Sequence, residues 1–477
     1  MINTIRNIVQ FDYQLAQRQS SFVIIVFISA ALCGYWLLYP AQIALLMPDS
    51  TSYIRFQDYR GAGYPLFLAI CRLFGLSVEQ TTIIQSLCFF AGLAFLAQSF
   101  SLRFRSIVLS IALLIGIGLN PAIVRYCFSI VTESVYFTSL FIFLGLILRI
   151  NSDKHTNIYL YCLIGMLFAW LILIKPVSWS LIVVPILLLW QHLTLKHNIL
   201  KIGCFILAGF ILMQLCGTAY RYSQHQQISG GSFFGNQLIG KLAFTDFDPE
   251  AVPYPAAGKL WLSIMTPSHQ ARDEFIENHH QRFLFALNTY DFLRFDNMPA
   301  IVEAMNTTDT SSAQKDLAMA ILKQNPQSYF YDVGLNFYNL WAIGELQNKG
   351  NAIRYNQQID KAVAKYQSAI PTPYRLNEEN SLKVTVTKPL LLLAAIANFG
   401  LLFYALFQHI FRFKPMSSDI HSLLIMTAST NAYFLLTALL QAALTRYAIV
   451  AWPMHLILLL GLIAIIKHAL FTQTEQV

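Results

Sequence analysis

FVIIVFISAALCGYWLLYPAQIALLMPDSTSYIRFQDYRGAGYPLFLAICRLFG, residues 22–75, decides how the rest of the chain is read. Residues 22–46 carry no charged side chain, and about 20 mostly apolar residues suffice for an α-helix to cross the hydrocarbon of a bilayer. Charges return at once behind that run, as Asp49, Arg55, Asp58 and Arg60. Gly63-Tyr64-Pro65 then opens a short apolar stretch broken by Arg72, the pattern of a helix lying in the membrane interface. A span, a charged outer turn and an interfacial helix thus follow one another within a single segment.

Working outward, similar apolar runs appear at 79–100, 106–122, 130–149, 157–174, 177–191, 202–219, 388–410, 421–442 and 448–466, after a first run at 21–46. Together they predict an all-α polytopic membrane protein of about ten transmembrane helices. Composition agrees, since 56% of the 477 residues are hydrophobic and 12% charged, against about 25% charged in soluble domains. Disorder is excluded by the same numbers. Thirty-six Phe and 23 Tyr suit aromatic belts at the membrane boundary. The first run has no small-residue cleavage site behind it and reads as a retained anchor. The seven cysteines (33, 71, 88, 127, 162, 204 and 216) lie in or near apolar runs without a CxxC pair, so they read as small buried hydrophobes.

Charge sets the expected orientation. Segment 220–387 holds 14 Lys+Arg and 16 Asp+Glu, whereas the remainder holds 18 and 8. Short loops rich in Lys and Arg stay on the cytoplasmic side. Arg6, Arg18, Arg103, Arg105, Arg149, Lys154, Lys196, Lys201, Arg412, Lys414 and Lys467 all fall on one side if the N-terminus is inside. Residues 1–219 are then an N-terminal transmembrane module of about seven helices, with a first outer loop at 47–78. Segment 220–387 is a mainly helical soluble domain on the outer face, and 388–477 adds about three helices. The basic excess lies at the membrane rather than on a soluble surface, which argues against a nucleic-acid partner. Neither GxGxxG nor a Walker loop occurs, so a nucleotide has no evident site.

Four blocks gather chemistry at the expected outer face. Residues 47–75 supply Asp49, Tyr53, Arg55, Arg60 and Tyr64; residues 120–137 supply Arg125 and Glu133; residues 173–180 supply Lys175-Pro176; residues 446–456 supply Arg446 and Tyr447. Ionisable groups at membrane depth are costly and tend to be functional. A Lys or Arg there is commonly an interfacial snorkel, but short carboxylates such as Asp49 and Glu133 cannot snorkel far. A carboxylate beside an acceptor hydroxyl acts as general base. Cations stabilise a departing lipid phosphate. These are the parts that sugar transfer from a polyprenyl-phosphate donor needs.

In order and character these blocks resemble the C-type (GT-C) glycosyltransferase superfamily, specifically the bacterial relatives of protein O-mannosyltransferases and aminoarabinose transferases. The resemblance runs through PDSTSY with Asp49, GYPLF at 63–67, TES with Glu133, Lys175-Pro176, and Arg446-Tyr447 with Pro453. It spans the membrane part from end to end, and residues 220–387 only loosely. Lys175 stands where the pattern more often has Arg, and RGAGYP lacks an extra Pro. The resemblance implies an inverting transferase in a bacterial inner membrane, acting at its periplasmic face in cell-envelope synthesis. Asp49 would be the base, Glu133 would position the sugar or the base, and Arg446 or Lys175 would bind the phosphate. Tyr53, Arg55, Arg60, Tyr64, Arg125 and Tyr447 would complete the substrate site. The acceptor would be a glycan, a lipid or a protein.

Weaker signals stay open. Asp246-Phe247-Asp248 has the form of a DxD pattern, the one place where a divalent metal is considered, but before Pro249-Glu250 it reads better as a turn. His279-His280 shows no ligand spacing, and Asn306-Thr307-Thr308 is formally a glycosylation acceptor. Tyr329, Tyr331 and Trp341 form an aromatic cluster, read as helix packing ahead of sugar stacking. Two other functions compete: a transporter or flippase of a lipid-linked sugar, and a glycan polymerase or ligase. A transporter would place charges near the midplane and often carry internal repeats, whereas here charges gather at one face.

Overall fold

The computed structural model describes residues 10–16, 18–38, 46–47, 49–150, 158–194, 199–228, 234–243, 245–266, 298–307, 309–341, 381–411, 416–440 and 445–472. Among these residues the chain is helical, joined by turns, with no strand. Seven helices are long and apolar enough to cross a membrane: Gln19–Leu38, Val78–Phe104, Thr132–Arg149, Ile199–His225, Pro389–Gln408, Ser418–Leu440 and Ile449–Leu470. This is an integral, multi-pass membrane protein.

The predicted run 106–122 is not one straight span. Ile107–Gly118 and Pro121–Phe128 meet at a bend of 55°. Pro121 has no N–H and restricts the residue before it. The Asn120 side chain accepts from the Ala122 amide at 3.0 Å and starts the second helix. Two further apolar helices, Ile158–Ile174 and Pro176–Gln191, are shorter. At 1.5 Å per residue the first of these reaches about 26 Å, just under a hydrocarbon thickness of about 30 Å.

Small residues let these helices approach closely, as expected where lipid offers no hydrophobic drive between helices. A Cβ on Gly165 would lie 1.9 Å from the Ile206 carbonyl oxygen, and one on Gly209 would lie 2.0 Å from that of Cys162. Ile158–Ile174 and Ile199–His225 therefore cross backbone to backbone. Elsewhere polar side chains bridge helices to carbonyls: Trp36 donates to Gly118 O at 2.8 Å, Ser29 to Phe90 O at 2.7 Å, and Trp452 to Gly116 O at 3.2 Å. At the far end of Val78–Phe104, Asp12 caps the next helix by accepting from the Ile107 and Val108 amides at 2.9 and 3.1 Å. It also accepts from Ser106 Oγ and Lys467 Nζ, both at 2.6 Å.

The chain divides into two compact units, Met1–Ser229 with Gly344–Ala432 and Ile449–Val477, and Gly230–Ile343 with Tyr433–Ala448. In the second unit Thr310–Gln324 and Pro326–Trp341 meet at the break the sequence places at Asn325-Pro326, where Asn325 Oδ1 accepts from the Ser328 amide at 3.2 Å. Trp261, Leu317 and Ile321 are fully buried there. Buried Lys241 pairs with Asp332. Burial holds the Lys241 amine below its ordinary value despite that carboxylate. Tyr329 and Trp341 are packed inward, Trp341 edge-on to Phe434 at 5.2 Å, while Tyr331 is exposed. Two sequence features, His279-His280 and the helical period at 351–368, lie outside the described residues.

Candidate functional site

Asp49 begins the short helix Ser50–Ile54, directly after the first apolar run. An Asp in that position commonly turns its carboxylate onto a backbone amide of the helix. This one does not cap the turn. Its carboxylate instead takes Arg60 Nη2 at 2.6 Å, with the Asp49 side chain 33% and the Arg60 side chain 21% exposed. Arg60 also donates through Nε to Ser52 Oγ at 2.8 Å and through Nη1 to Tyr53 Oη at 3.0 Å. Its guanidinium lies over the rings of Tyr53 and Tyr59, 4.4 and 5.1 Å from their centroids. Burial works against the Arg60 charge, but Tyr53, Asp49 and the bond to Asp49 outweigh it and hold the guanidinium above its ordinary value.

Three of the four blocks meet along the segment that carries this pair. Ser50 Oγ donates to Ile130 O at 2.7 Å, joining residues 47–75 to residues 120–137. Tyr64, fully buried, donates to Gln85 Oε1 at 2.7 Å, and Gln85 Nε2 donates to the carbonyls of Cys127 and Ser129, each at 3.2 Å. The Tyr53 and Tyr64 rings meet edge-on at 5.4 Å. Burial, then Tyr53 and Glu133, push the Tyr64 phenol well above its ordinary value, so it stays a neutral donor.

The third block arrives through glycine. A Cβ on Gly61 would lie 2.3 Å from Leu173 O, and one on Gly63 would lie 2.8 Å from the Ile174 amide nitrogen. RGAGYP therefore sits flat against the backbone immediately before Lys175. That lysine, 9% exposed, donates to Glu133 Oε1 at 2.8 Å and lies 5.5 Å from the Tyr136 ring centroid. Glu133 is 5% exposed, stands in the first turn of Thr132–Arg149, and also accepts from Thr132 Oγ1 at 3.1 Å. The helix N-terminus favours its charge. Tyr136 in turn accepts from Ser178 Oγ at 3.1 Å.

The remaining candidates are placed differently. Arg125 opens a 3-10 turn, Arg125–Phe128, and its Nη2 donates to Tyr126 Oη at 3.2 Å. Arg55 is exposed and joins no part of the cluster among the described residues. Arg446 and Tyr447 belong to the second unit, in the short helix Thr445–Ala448, where Tyr447 is buried. The Arg446 side chain lies outside the described residues.

Two participants carried no signal in a motif. Gln85 is a polar residue inside an apolar run, and its burial at membrane depth is the clue that was available. Arg221, at the end of Ile199–His225, is the other.

No group of three or more His, Cys, Asp or Glu suited to a metal occurs among the described residues. At the DxD-like sequence, Asp248 Oδ1 accepts from the Glu250 amide at 2.9 Å and starts the Pro249–Ala251 turn. The cluster thus offers an accessible carboxylate held by a half-buried guanidinium, a buried tyrosine between, and a buried lysine–glutamate pair behind. Comparison of the chain with protein-family models, with curated proteins and with solved structures gives no match.

Proposed function

We propose that this protein is a membrane glycosyltransferase that moves a sugar from a polyprenyl-phosphate donor to an acceptor hydroxyl, with Asp49 as general base. The observation that carries this reading is the meeting of three blocks distant in sequence along residues 50–64, the segment that carries the Asp49–Arg60 pair, at the boundary where an apolar run gives way to polar chain. A donor whose tail lies in lipid and whose sugar lies in water needs its chemistry at that boundary. A partly exposed carboxylate can reach an acceptor proton there, and Arg60 holds it in orientation. Arg60 and Arg125 supply positive charge for the departing phosphate. Glu133 and Lys175 anchor the segments beside residues 50–64, the first turn of Thr132–Arg149 and the 173–175 backbone on which Gly61 and Gly63 rest. A single base, Asp49, suits direct displacement with inversion, since retention through a covalent intermediate uses a second carboxylate as nucleophile.

In this reading the shorter helices Ile158–Ile174 and Pro176–Gln191 also cross the membrane, as does the bent pair, giving ten spans. The site then faces the periplasmic side of a bacterial inner membrane, together with the soluble segment.

The test is a reconstitution. Purified protein in bicelles is given a panel of polyprenyl-phosphate hexoses and pentoses, and, separately, polyprenyl-diphosphate oligosaccharides. Release of polyprenyl phosphate from a monosaccharide donor, dependent on an added envelope-lipid or glycan extract, is the expected result. Turnover of the diphosphate donors alone identifies a ligase or polymerase. Movement of intact donor across proteoliposomes without bond cleavage identifies a flippase.

A further inference from the structure

We infer that Arg221 is a positioning residue for Asp49, acting through the loop 55–60 that carries Arg60; the inference rests on the reading of Asp49 as the base. Arg221 stands one turn before the end of Ile199–His225, where a span meets the boundary. An arginine in that position ordinarily extends toward water or headgroups. This one is 8% exposed and turned inward. Nη1 donates to Asp58 O at 2.5 Å, and Nη2 donates to Arg60 O.

The loop needs such a donor. Between Ser50–Ile54 and Gly63–Leu73 its backbone bonds are local ones, Phe56 to Tyr53 at 3.1 Å, Gln57 to Ser52 at 2.9 Å and Arg60 to Gln57 at 2.9 Å. Carbonyls at 58 and 60 point at the helix rather than into a ladder, and Arg221 is the donor that meets them. A guanidinium fork meets two carbonyls at once, and a lysine ammonium does so less well. Beneath the fork, Phe56 adopts a left-handed φ of 43° and is buried. Its ring stacks on Tyr220 at 5.2 Å, meets His225 at 4.7 Å, and lies 5.2 Å from the Arg221 guanidinium. A non-glycine residue in that region is strained and persists only where the surroundings hold it. The clamp is therefore double, polar on the carbonyls and aromatic on the turn.

The consequence runs through one residue. Arg221 holds the Arg60 carbonyl, and the Arg60 side chain holds Asp49 at 2.6 Å, Ser52 at 2.8 Å and Tyr53 at 3.0 Å. Freeing the carbonyl lets the guanidinium drift from Asp49, so the carboxylate loses both its orientation and its neighbouring cation.

Arg221→Ala, Arg221→Lys and Asp49→Asn are compared with wild type in the donor assay, at matched membrane levels. For Arg221→Ala, kcat is expected to fall on the order of 100-fold, the scale of a small misplacement of a reacting group. The acid limb of the kcat/KM profile is expected to move to higher pH, because a carboxylate that loses a cation protonates more readily. Arg221→Lys restores part of both effects and serves where the alanine variant does not fold. Wild-type kcat with an unshifted acid limb in Arg221→Lys and in any folded Arg221→Ala, while Asp49→Asn is inactive, overturns the positioning role and leaves the base intact. Full transfer by Asp49→Asn overturns the base, and the role of Arg221 with it.

Discussion

Asp12 and Asp49 lie toward opposite ends of the helix Val78–Phe104, and each takes a cation at 2.6 Å, Lys467 and Arg60 respectively. By contact distance they are indistinguishable. The Asp12 side chain is 2% exposed, whereas that of Asp49 is 33% exposed. Asp12 also accepts two backbone amides and a serine, which makes it a helix cap and a tie between three elements. Asp49 starts a helix without capping it. What separates a structural carboxylate from one available to a reagent is its access to water and its work for the backbone, not the presence of an ion pair.

The strongest way to break that distinction is Asp49→Asn in the purified protein, assayed for the proposed transfer. Transfer should fall by about 10²- to 10⁴-fold, the range for a general base, with the melting temperature in detergent unchanged. Next comes Lys175→Met. Removing one partner of a buried pair costs about 3–5 kcal/mol, so a clear drop in thermal stability is expected by fluorescence-detected unfolding. The double variant Glu133→Gln/Lys175→Met should lose less than the two single variants summed, because the pair acts as a unit. Equal additivity would mean that the two side chains do not depend on each other.

Gly61→Ala probes the seat of the loop. A methyl group there meets a backbone carbonyl that has little room to move, and overpacking costs about 1–3 kcal/mol. Both stability and transfer should decline, whereas Gly34→Ala, with open space around it, should leave both alone.

The smallest effect on transfer sharpens the other end. Asp12→Asn should lower stability by about 1.5–3 kcal/mol at neutral pH, the range for hydrogen bonds to a charged group, and leave transfer unchanged. Burial opposes the Asp12 charge, but Lys467, Ser106 and the Val108 amide outweigh it and hold the carboxylate below its ordinary value. Its contribution is therefore fully present above the unfolded carboxylate value of about 3.9. It is lost as the pH falls through the lower folded value. An unfolding series across acid pH should show this loss in wild type and not in Asp12→Asn.

Much of this architecture could be read before any coordinates. Apolar length alone marks the seven long helices, and the charges that interrupt it mark Asp49, Arg60, Glu133 and Lys175. The sequence does not reveal who pairs with whom. Arg60 reaches Asp49 only because Phe56 turns the chain through a left-handed residue, and nothing in YIRFQDYRG encodes that turn locally. Gly61 and Gly63 could be read as a loop, but their close approach to Leu173 and Ile174 depends on a helix more than a hundred residues away. The break in 106–122 had a visible cause in Asn120-Pro121, which an unbroken apolar count overrides. Arg221 was legible only as a boundary charge, because its two carbonyl partners are backbone atoms and leave no trace in residue type.

The most direct test is mass spectrometry of envelope glycolipids and glycans from cells lacking this protein, complemented at matched membrane levels with wild type, Asp49→Asn or Asp12→Asn. One sugar addition should vanish with the protein, return with wild type and with Asp12→Asn, and stay absent with Asp49→Asn. Equal restoration by Asp49→Asn would contradict the account, and the accessible carboxylate would then have no part in the chemistry.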